Sequence, residues 1–500
     1  MAEALQPFQI KNIGVYGVVR EASVDSNLAP EGSVPDTINF HFDRVGAATV
    51  RPGMSALGAT VLNGYPIWGL HNAQNGSMFT AVSQSGSMQI QAYNGSSWAS
   101  VSTGGTANVK MRFLEAGGRT ILLNYGSSSN MYSSLRFLNT SGAWATTGNP
   151  INPQAVADPT LGVVQPQFGE VYKSRIYLAG NNSSGSPAGL SRLYFSEVVN
   201  SSGNFTWAPS SNYVDINPND GENISGLKRF SLELLVFKPN YTYRFKTAGV
   251  DPDPLIKIGT RSHESIVEGK RGIYFHHDTG FYRYTGGYPS EISRPLSDVV
   301  DSIPFGQYDD IAGWKDNDHI YWALGTVSVS ETTGTMTIKN AVARFTESSD
   351  VWTIYSHAQN VRVGSDYNST TALTRVVGLQ NGVVATYNVG TTDVGEPIPY
   401  RVRTKYYEPE SVSTRKVIQE LTAICEKAQS SNISYRADEE VNFKPIGQLT
   451  QLVNFFNKEE IRFHRIQFQV HGVSRGEPPV FRGIEVIKGL NEGRIAYGSH

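Results

Sequence analysis

Apolar and polar positions alternate at a period of two over much of this chain, and Gly, Ser and Asn interrupt the alternation at short intervals. Residues 72–98, NAQNGSMFTAVSQSGSMQIQAYNGSSW, carry three such bursts, which predicts three strands joined by tight turns and nothing at helical spacing. Elsewhere apolar and aromatic residues run almost without a break: RIYLAG from Arg175, LELLVFKP from Leu232, GIYFHH from Gly272, HIYWALG from His319, and VVGLQNGVVATYN through Tyr387. These read as the inner strands of a repeated unit. Other units end in a polar turn followed by tryptophan, at Trp98, Trp144, Trp207 and Trp352.

Between about residue 65 and about residue 394 these signals mark seven units of about 47 residues, close to the ~40–50 of propeller blades. Six units would need about 55 residues each and eight about 41, and an insertion such as 181–189 blurs the count. One small twisted sheet cannot bury both faces, but a ring of them packs face to face and leaves only short edges. The expected fold is therefore all-β, a propeller of about seven blades over 61–396. Residues 1–60 supply an N-terminal arm and a closing strand. Residues 37–53, where Ile38, Phe40 and Phe42 alternate, are the expected donor, and 27–36 read as an extended arm or loop. From about Pro397 the alternation resumes with Tyr400, Val402, Thr404 and Tyr406 on one face and Arg401, Arg403 and Lys405 on the other. With the later strands this predicts a C-terminal antiparallel β-sandwich of five or six strands over 397–500.

Composition narrows the function classes. A chain of 500 residues with 39% hydrophobic and 11% aromatic content exceeds one ordinary core and is not disordered throughout. Lys and Arg number 42 against 44 Asp and Glu, so no overall basic field points to nucleic acid, although a local basic patch is compatible with this balance. The single Cys425 allows no intrachain disulfide and suits assembly in a reducing cytoplasm; within LTAIC it reads as a small buried hydrophobe. The N-terminus has neither the basic nor the apolar region of a signal peptide, and the most apolar stretch, 232–237, contains Glu233, so no membrane span is expected.

Candidate chemistry is sparse. No nucleophile elbow, Walker-type loop or dinucleotide fingerprint occurs. His276, His277 and Asp278 form a compact set of metal-ligand types, but adjacent strand residues point to opposite faces, and a polar strand end is the simpler reading. NPNDGEN, 217–223, gathers oxygens around a glycine without the ligand spacing of an EF-hand, and reads as a solvated inter-blade loop. Asp309, Asp310, Asp316 and Asp318 offer carboxylates for a glycoside hydrolase, with no separation readable from sequence. SSGNFTW resembles the Asp box of sialidase propellers, but Gly203 stands at the Asp position, which favours the geometry over the chemistry. The stripe Arg401, Arg403, Lys405 reads as an exposed sandwich face, with contact to phosphate or an acidic partner as the alternative. No residue is assigned a catalytic, cofactor-binding or metal-binding role, and no cofactor is expected.

Taken together, the chain resembles the β-propeller tail proteins of tailed bacteriophages, which include packaged-DNA stabilisation proteins and the hubs or nozzles of short tails. The resemblance lies in the order of Leu28, Pro30, Gly32, Asn39, Asp43, Gly46 and Arg51-Pro52-Gly53. It continues in YTYRFKTAG (241–249), in 272–303 with a short helix-like segment at 297–303, and in YRVRTKYYEP (400–409) followed by RFHRIQFQV (462–470). It implies a non-enzymatic virion component made in the bacterial cytoplasm and assembled as a ring, a homo-hexamer. That ring would lie below the portal and its adaptor, in contact with other tail or fibre proteins. Packaged DNA would pass through it without sequence recognition and be retained until ejection. The alternative reading is a glycan-binding propeller or a glycoside hydrolase or depolymerase.

Overall fold

Among the described residues, seven four-stranded antiparallel sheets follow one another along the chain. The computed structural model describes residues 3–20, 30–44, 47–59, 64–124, 136–138, 144–145, 157–158, 162–163, 166–180, 190–207, 211–246, 252–331, 334–368, 373–411, 413–428, 431–438 and 440–494. The first strands of the seven blades are Ile67–Asn72, Arg112–Ala116, Phe168–Tyr172, Gly226–Phe230, Val267–Glu268, Ala312–Asp316 and Val361–Asn368. They converge on a common axis, and the first strand of blade one packs against those of blades two and seven, which closes the circle. The fold is all-β, a seven-bladed propeller joined to a β-sandwich.

The apolar runs occupy the second strand of their blades, one step out from the axis, and the last of them continues into the third strand of blade seven. Arg175–Ala179, Glu233–Phe237 and Ile273–His277 are buried at almost every position. A second strand has a neighbour on each edge and a blade against each face, so it has no polar side to show. The first strands are less apolar and hold glycine where the blades converge. A Cβ on Gly313 would stand 2.5 Å from Val267 Cγ2 of blade five, and one on Gly364 2.5 Å from Trp314 Cβ of blade six. Trp98, Trp144 and Trp352 fall on fourth strands, and Trp207 lies just before one, so the tryptophan punctuation marks the outer rim of each repeat.

The ring is closed by Met54–Ala56, which pairs with Val384–Tyr387 as the fourth strand of blade seven. The expected donor, 37–53, does something else. Asp36–Ile38 pairs with Ile398–Arg403, while Phe40–Arg44 and Ala47–Val50 join the sheet of Val480–Arg494. Their apolar residues need the deep sandwich core, where Phe40, Ala48 and Val50 are almost wholly buried. A three-residue strand suffices to finish a blade that is already three strands wide.

The sandwich is built from both ends of the chain. One sheet runs Phe40–Arg44, Ala47–Val50, Val480–Arg494, Thr414–Glu426 and Val453–Phe463, with Glu3–Ala4 and Phe8–Ile10 also paired to Val480–Arg494. The other runs Asp36–Ile38, Ile398–Arg403, Ile466–Ser474, Ser431–Ala437 and Lys444–Leu449. Among the described residues twelve strands thus replace the five or six expected. Cys425 lies in the core, and burial pushes its thiol up to about 12. That core is continuous with blades five and six. The second and third strands of blade six, His319–Glu331 and Gly334–Thr346, are 13 residues each and run on beyond the blade, burying Val327, Val329 and Ile338 in the shared core. A short helix, Ser297–Asp301, follows blade five and adds Val299 and Val300.

Candidate functional site

Where the first strands begin, the mouth of the propeller axis forms a cavity of about 590 Å³, lined among others by Trp68, Lys110, Arg112, Phe168, Glu264 and Asp310. Glu264 stands in the short turn His263–Ser265 between blades four and five. Ser262 Oγ donates to the Ile311 carbonyl at 2.7 Å and Trp322 Nε1 donates to the Ser265 carbonyl at 2.9 Å, which fixes the turn against blade six. Lys110 and Arg112 reach it from the start of blade two. Arg112 Nε donates to Glu264 Oε1 at 2.7 Å, and Lys110 Nζ lies 3.3 Å from Glu264 Oε2. Lys110 also donates to the Asp309 carbonyl, while Arg362 of blade seven approaches both Asp310 oxygens at 3.3 Å. The charges therefore bridge the mouth from blade to blade.

This arrangement favours closure over chemistry. Burial pushes the Glu264 carboxyl up, but Arg112 and Lys110 outweigh it and hold the group well below the usual carboxylate range. A carboxyl held so low stays ionised at neutral pH and cannot act as a general acid. Burial, reinforced by Arg112, pushes His263 down to about 3. The aromatic walls are capped by cations as well: the Arg112 guanidinium lies 4.5 Å from the Phe168 ring centre and that of Arg362 4.5 Å from Trp68.

The residues singled out from sequence do not converge. His276 and His277 lie on the second strand of blade five and part to opposite sides. His276 packs edge-on against Phe281 and Tyr308, while His277 Nδ1 meets Thr279 Oγ1 at 2.9 Å. Asp278 pairs with Arg261 at 3.0 Å. Among the described residues no group of three or more His, Cys, Asp or Glu is placed to hold a metal ion. In the 217–223 loop the buried Lys238 ammonium takes the place a cation would have, 2.7 and 2.8 Å from the Asp220 oxygens and 3.0 Å from the Asn217 carbonyl. Asp309 and Asp310 precede the first strand of blade six at the mouth, whereas Asp316 ends it and Asp318 follows it at the opposite rim. There Asn388 donates to Asp316 at 2.8 Å and the Ser348 amide to Asp318 at 3.2 Å. In the SSGNFTW turn, Phe205 and Trp207 are buried in the core shared by blades two and three.

Arg401 and Arg403 fold onto Asp36 rather than standing clear of the sheet. Their Nε atoms lie 2.8 and 3.4 Å from one Asp36 oxygen, and Arg20 takes the other at 3.1 Å. Burial pushes Asp36 up, and the three arginines together bring it below its ordinary value.

Sequence reading missed the cluster at the seam between propeller and sandwich. Arg51 grips Asp393 with both terminal nitrogens, at 2.8 and 2.5 Å, and both side chains are about 1% exposed. Asn39 Oδ1 accepts from Arg51 Nε and the Ser356 amide, and its Nδ2 donates to the Pro399 carbonyl. His357 Nδ1 and the Ala358 amide complete the ring around Asp393, each at 3.2 Å. Five segments meet there, separated by up to 360 residues of chain. The only sequence signal was Arg51-Pro52-Gly53 beside an early Asn39.

Among solved structures the chain is similar to Sqt1 of Saccharomyces cerevisiae, at 9% identity and a TM-score of 0.37, covering 68% of this chain and 100% of that one. It is also similar to the Pan2 WD40 domain of Neurospora crassa, at 10% identity and a TM-score of 0.36, covering 68% and 94%. No protein-family model and no curated protein matches it. The blade count stands on the strand pairing.

Proposed function

We propose that this chain is a structural wedge of a bacteriophage tail, repeated in a ring below the portal and adaptor, with packaged DNA passing between the copies. What supports the reading, beside the resemblance in the sequence, is the way the chain is locked. Both ends are woven into one sandwich, and Arg51, Asp393 and Asn39 pin that sandwich to blades six and seven. A closed propeller with one laterally fixed module is a rigid, asymmetric unit suited to heterologous contacts that close into a ring. In this reading the propeller axis is not the conduit, because Lys110, Arg112, Glu264, Asp310 and Arg362 bridge its mouth from blade to blade. Ring closure therefore supplies the channel, and no catalytic residue is needed.

The test is to band particles from a lysate of infected cells on a density gradient and quantify this chain against the major shell protein. A fixed low ratio in DNA-filled particles, about six copies each, is expected for a cyclic ring. Recovery only in the soluble fraction would remove the reading and direct effort to glycan-binding and hydrolysis assays.

A further inference from the structure

Near one end of the sandwich, a lysine, an asparagine and a glutamate from three segments of the chain come together. Lys416, on strand Thr414–Glu426, is wholly buried, yet among the described residues its ammonium has only carbonyl partners: it donates to Ser411 and, at 3.2 Å, to His464. Directly across the antiparallel pairing stands Asn491, on strand Val480–Arg494. Residues so paired project from the same face of a sheet, with Cβ atoms ~4.5–5.5 Å apart. Asn491 is 8% exposed, and its Oδ1 is buried without a hydrogen-bond partner. Its amide nitrogen donates to Glu410 Oε2 at 2.8 Å. Glu410 precedes Lys416 in the chain, stands at a φ of +64° and is exposed.

A buried lysine without a counter-ion is costly as a cation, and burial pushes the Lys416 ammonium below its ordinary value against the pull of Glu410, Glu408 and Asp438. Burial therefore favours the neutral amine, which is a nucleophile. Across the strand pair lies a carboxamide carbon, and a carboxylate touches the nitrogen that would leave it. We propose that Lys416 and Asn491 join in an intramolecular isopeptide bond, with Glu410 moving the protons. Glu410 takes a proton from Nζ, the amine attacks Asn491 Cγ, and Glu410 passes protons on to Nδ2 as the Cγ–Nδ2 bond breaks. One Nζ–Cγ bond forms, Nζ keeps one hydrogen, and its other two leave with Nδ2 as an ammonium ion, so no oxidant or reductant is consumed. The four-carbon stem of lysine lets Nζ turn from the His464 carbonyl to that carbon while the strand register stays as it is. The exposed side of Glu410 gives the ammonium ion a way out to solvent. The product staples the last strand, Val480–Arg494, to its neighbour, a covalent lock in a chain whose single cysteine permits no intrachain disulfide. Such a staple does not depend on the tail reading.

The test is the intact mass of the full chain, purified and then denatured. The bond expels ammonia, so the mass is expected about 17 Da below that calculated from the sequence. Trypsin should then release residues 416–427, uncut after Lys416, joined to residues 489–494 as one branched product. Lys416→Arg and Asn491→Ala should each show the unshifted mass of their own sequence. Both of those positions are buried, so the decisive variant is Glu410→Gln at an exposed one: it should melt as a folded chain and lose most of the shift. An unshifted mass for the unaltered chain, with the two tryptic segments recovered separately, overturns the proposal. So does a loss of ammonia that maps to any other pair of residues. Full cross-linking in a folded Glu410→Gln chain would overturn the role given to Glu410.

Discussion

The seam and the mouth are built from the same chemistry, arginine against carboxylate, and differ in what surrounds it. At the seam the Arg51 and Asp393 side chains are each 1% exposed, and apart from the Pro52 carbonyl the groups that satisfy them come from Asn39, Ser356 and Ala358 on other segments of the chain. At the mouth Glu264 is 15% exposed between Lys110 and Arg112, and the outer carboxylate, Asp310, is 46% exposed beside Arg362, where water shares the load. A desolvated pair is costly to break because removing one partner strands the other in a medium that cannot solvate it, whereas a wet pair contributes little. The comparison teaches where the molecule is rigid: the junction of its two modules is held more firmly than the rim of its own axis.

The largest expected effect follows from that. Arg51→Ala leaves Asp393 buried without its fork and should cost about 3–5 kcal/mol in urea unfolding. A loss below about 1 kcal/mol would erase the distinction between seam and mouth. Next comes acid. Burial holds His276 down to about 3 and, with Arg51, holds the seam's His357 below its ordinary value. The unfolded chain takes up protons below pH ~6.5 that these buried rings refuse, so stability falls as the pH drops from about 6.5 toward 3. At pH 5 His276 alone accounts for about 2 kcal/mol, and His276→Phe should flatten this part of the stability profile measured by unfolding at pH 7 and pH 5. Asp36, Glu264 and Asp393 are held low, so their contribution is present above ~4 and is lost only below it. Acid therefore acts first through the buried histidines and later through the ion clusters.

Smaller effects belong to the mouth. Glu264→Gln keeps the shape of the turn but takes the charge from between the largely buried Lys110 and Arg112, and should cost about 1–3 kcal/mol in the same unfolding experiment. Arg362→Ala, which gives up a half-exposed pair and a contact with Trp68, should fall below about 1 kcal/mol. If Arg362→Ala destabilised as much as Arg51→Ala, exposure would not be the variable that separates the two regions.

The blades were legible because their second strands have no polar face, so RIYLA, ELLVF and IYFHH stand out as unbroken runs, with tryptophan marking the rim. The closing strand was not legible, because Met54–Ala56 is three residues long and too short to carry a period. The two-ended sandwich was hidden for a related reason. Alternation at Ile38, Phe40 and Phe42 announces a strand but not its partner, and Asp36 pairs with Arg403 across most of the chain. The mouth depends on Lys110, Glu264 and Asp310, whose proximity arises only when the ring closes.

The most direct measurement of the central claim is electron cryomicroscopy of the tail region of DNA-filled particles, with the chain located by a tag on an exposed loop. The expected result is a ring of rigid two-module wedges with DNA density on the ring axis and every propeller axis closed at Lys110, Arg112 and Glu264. DNA density running through a propeller axis, or a tail region from which the chain is absent, would contradict it.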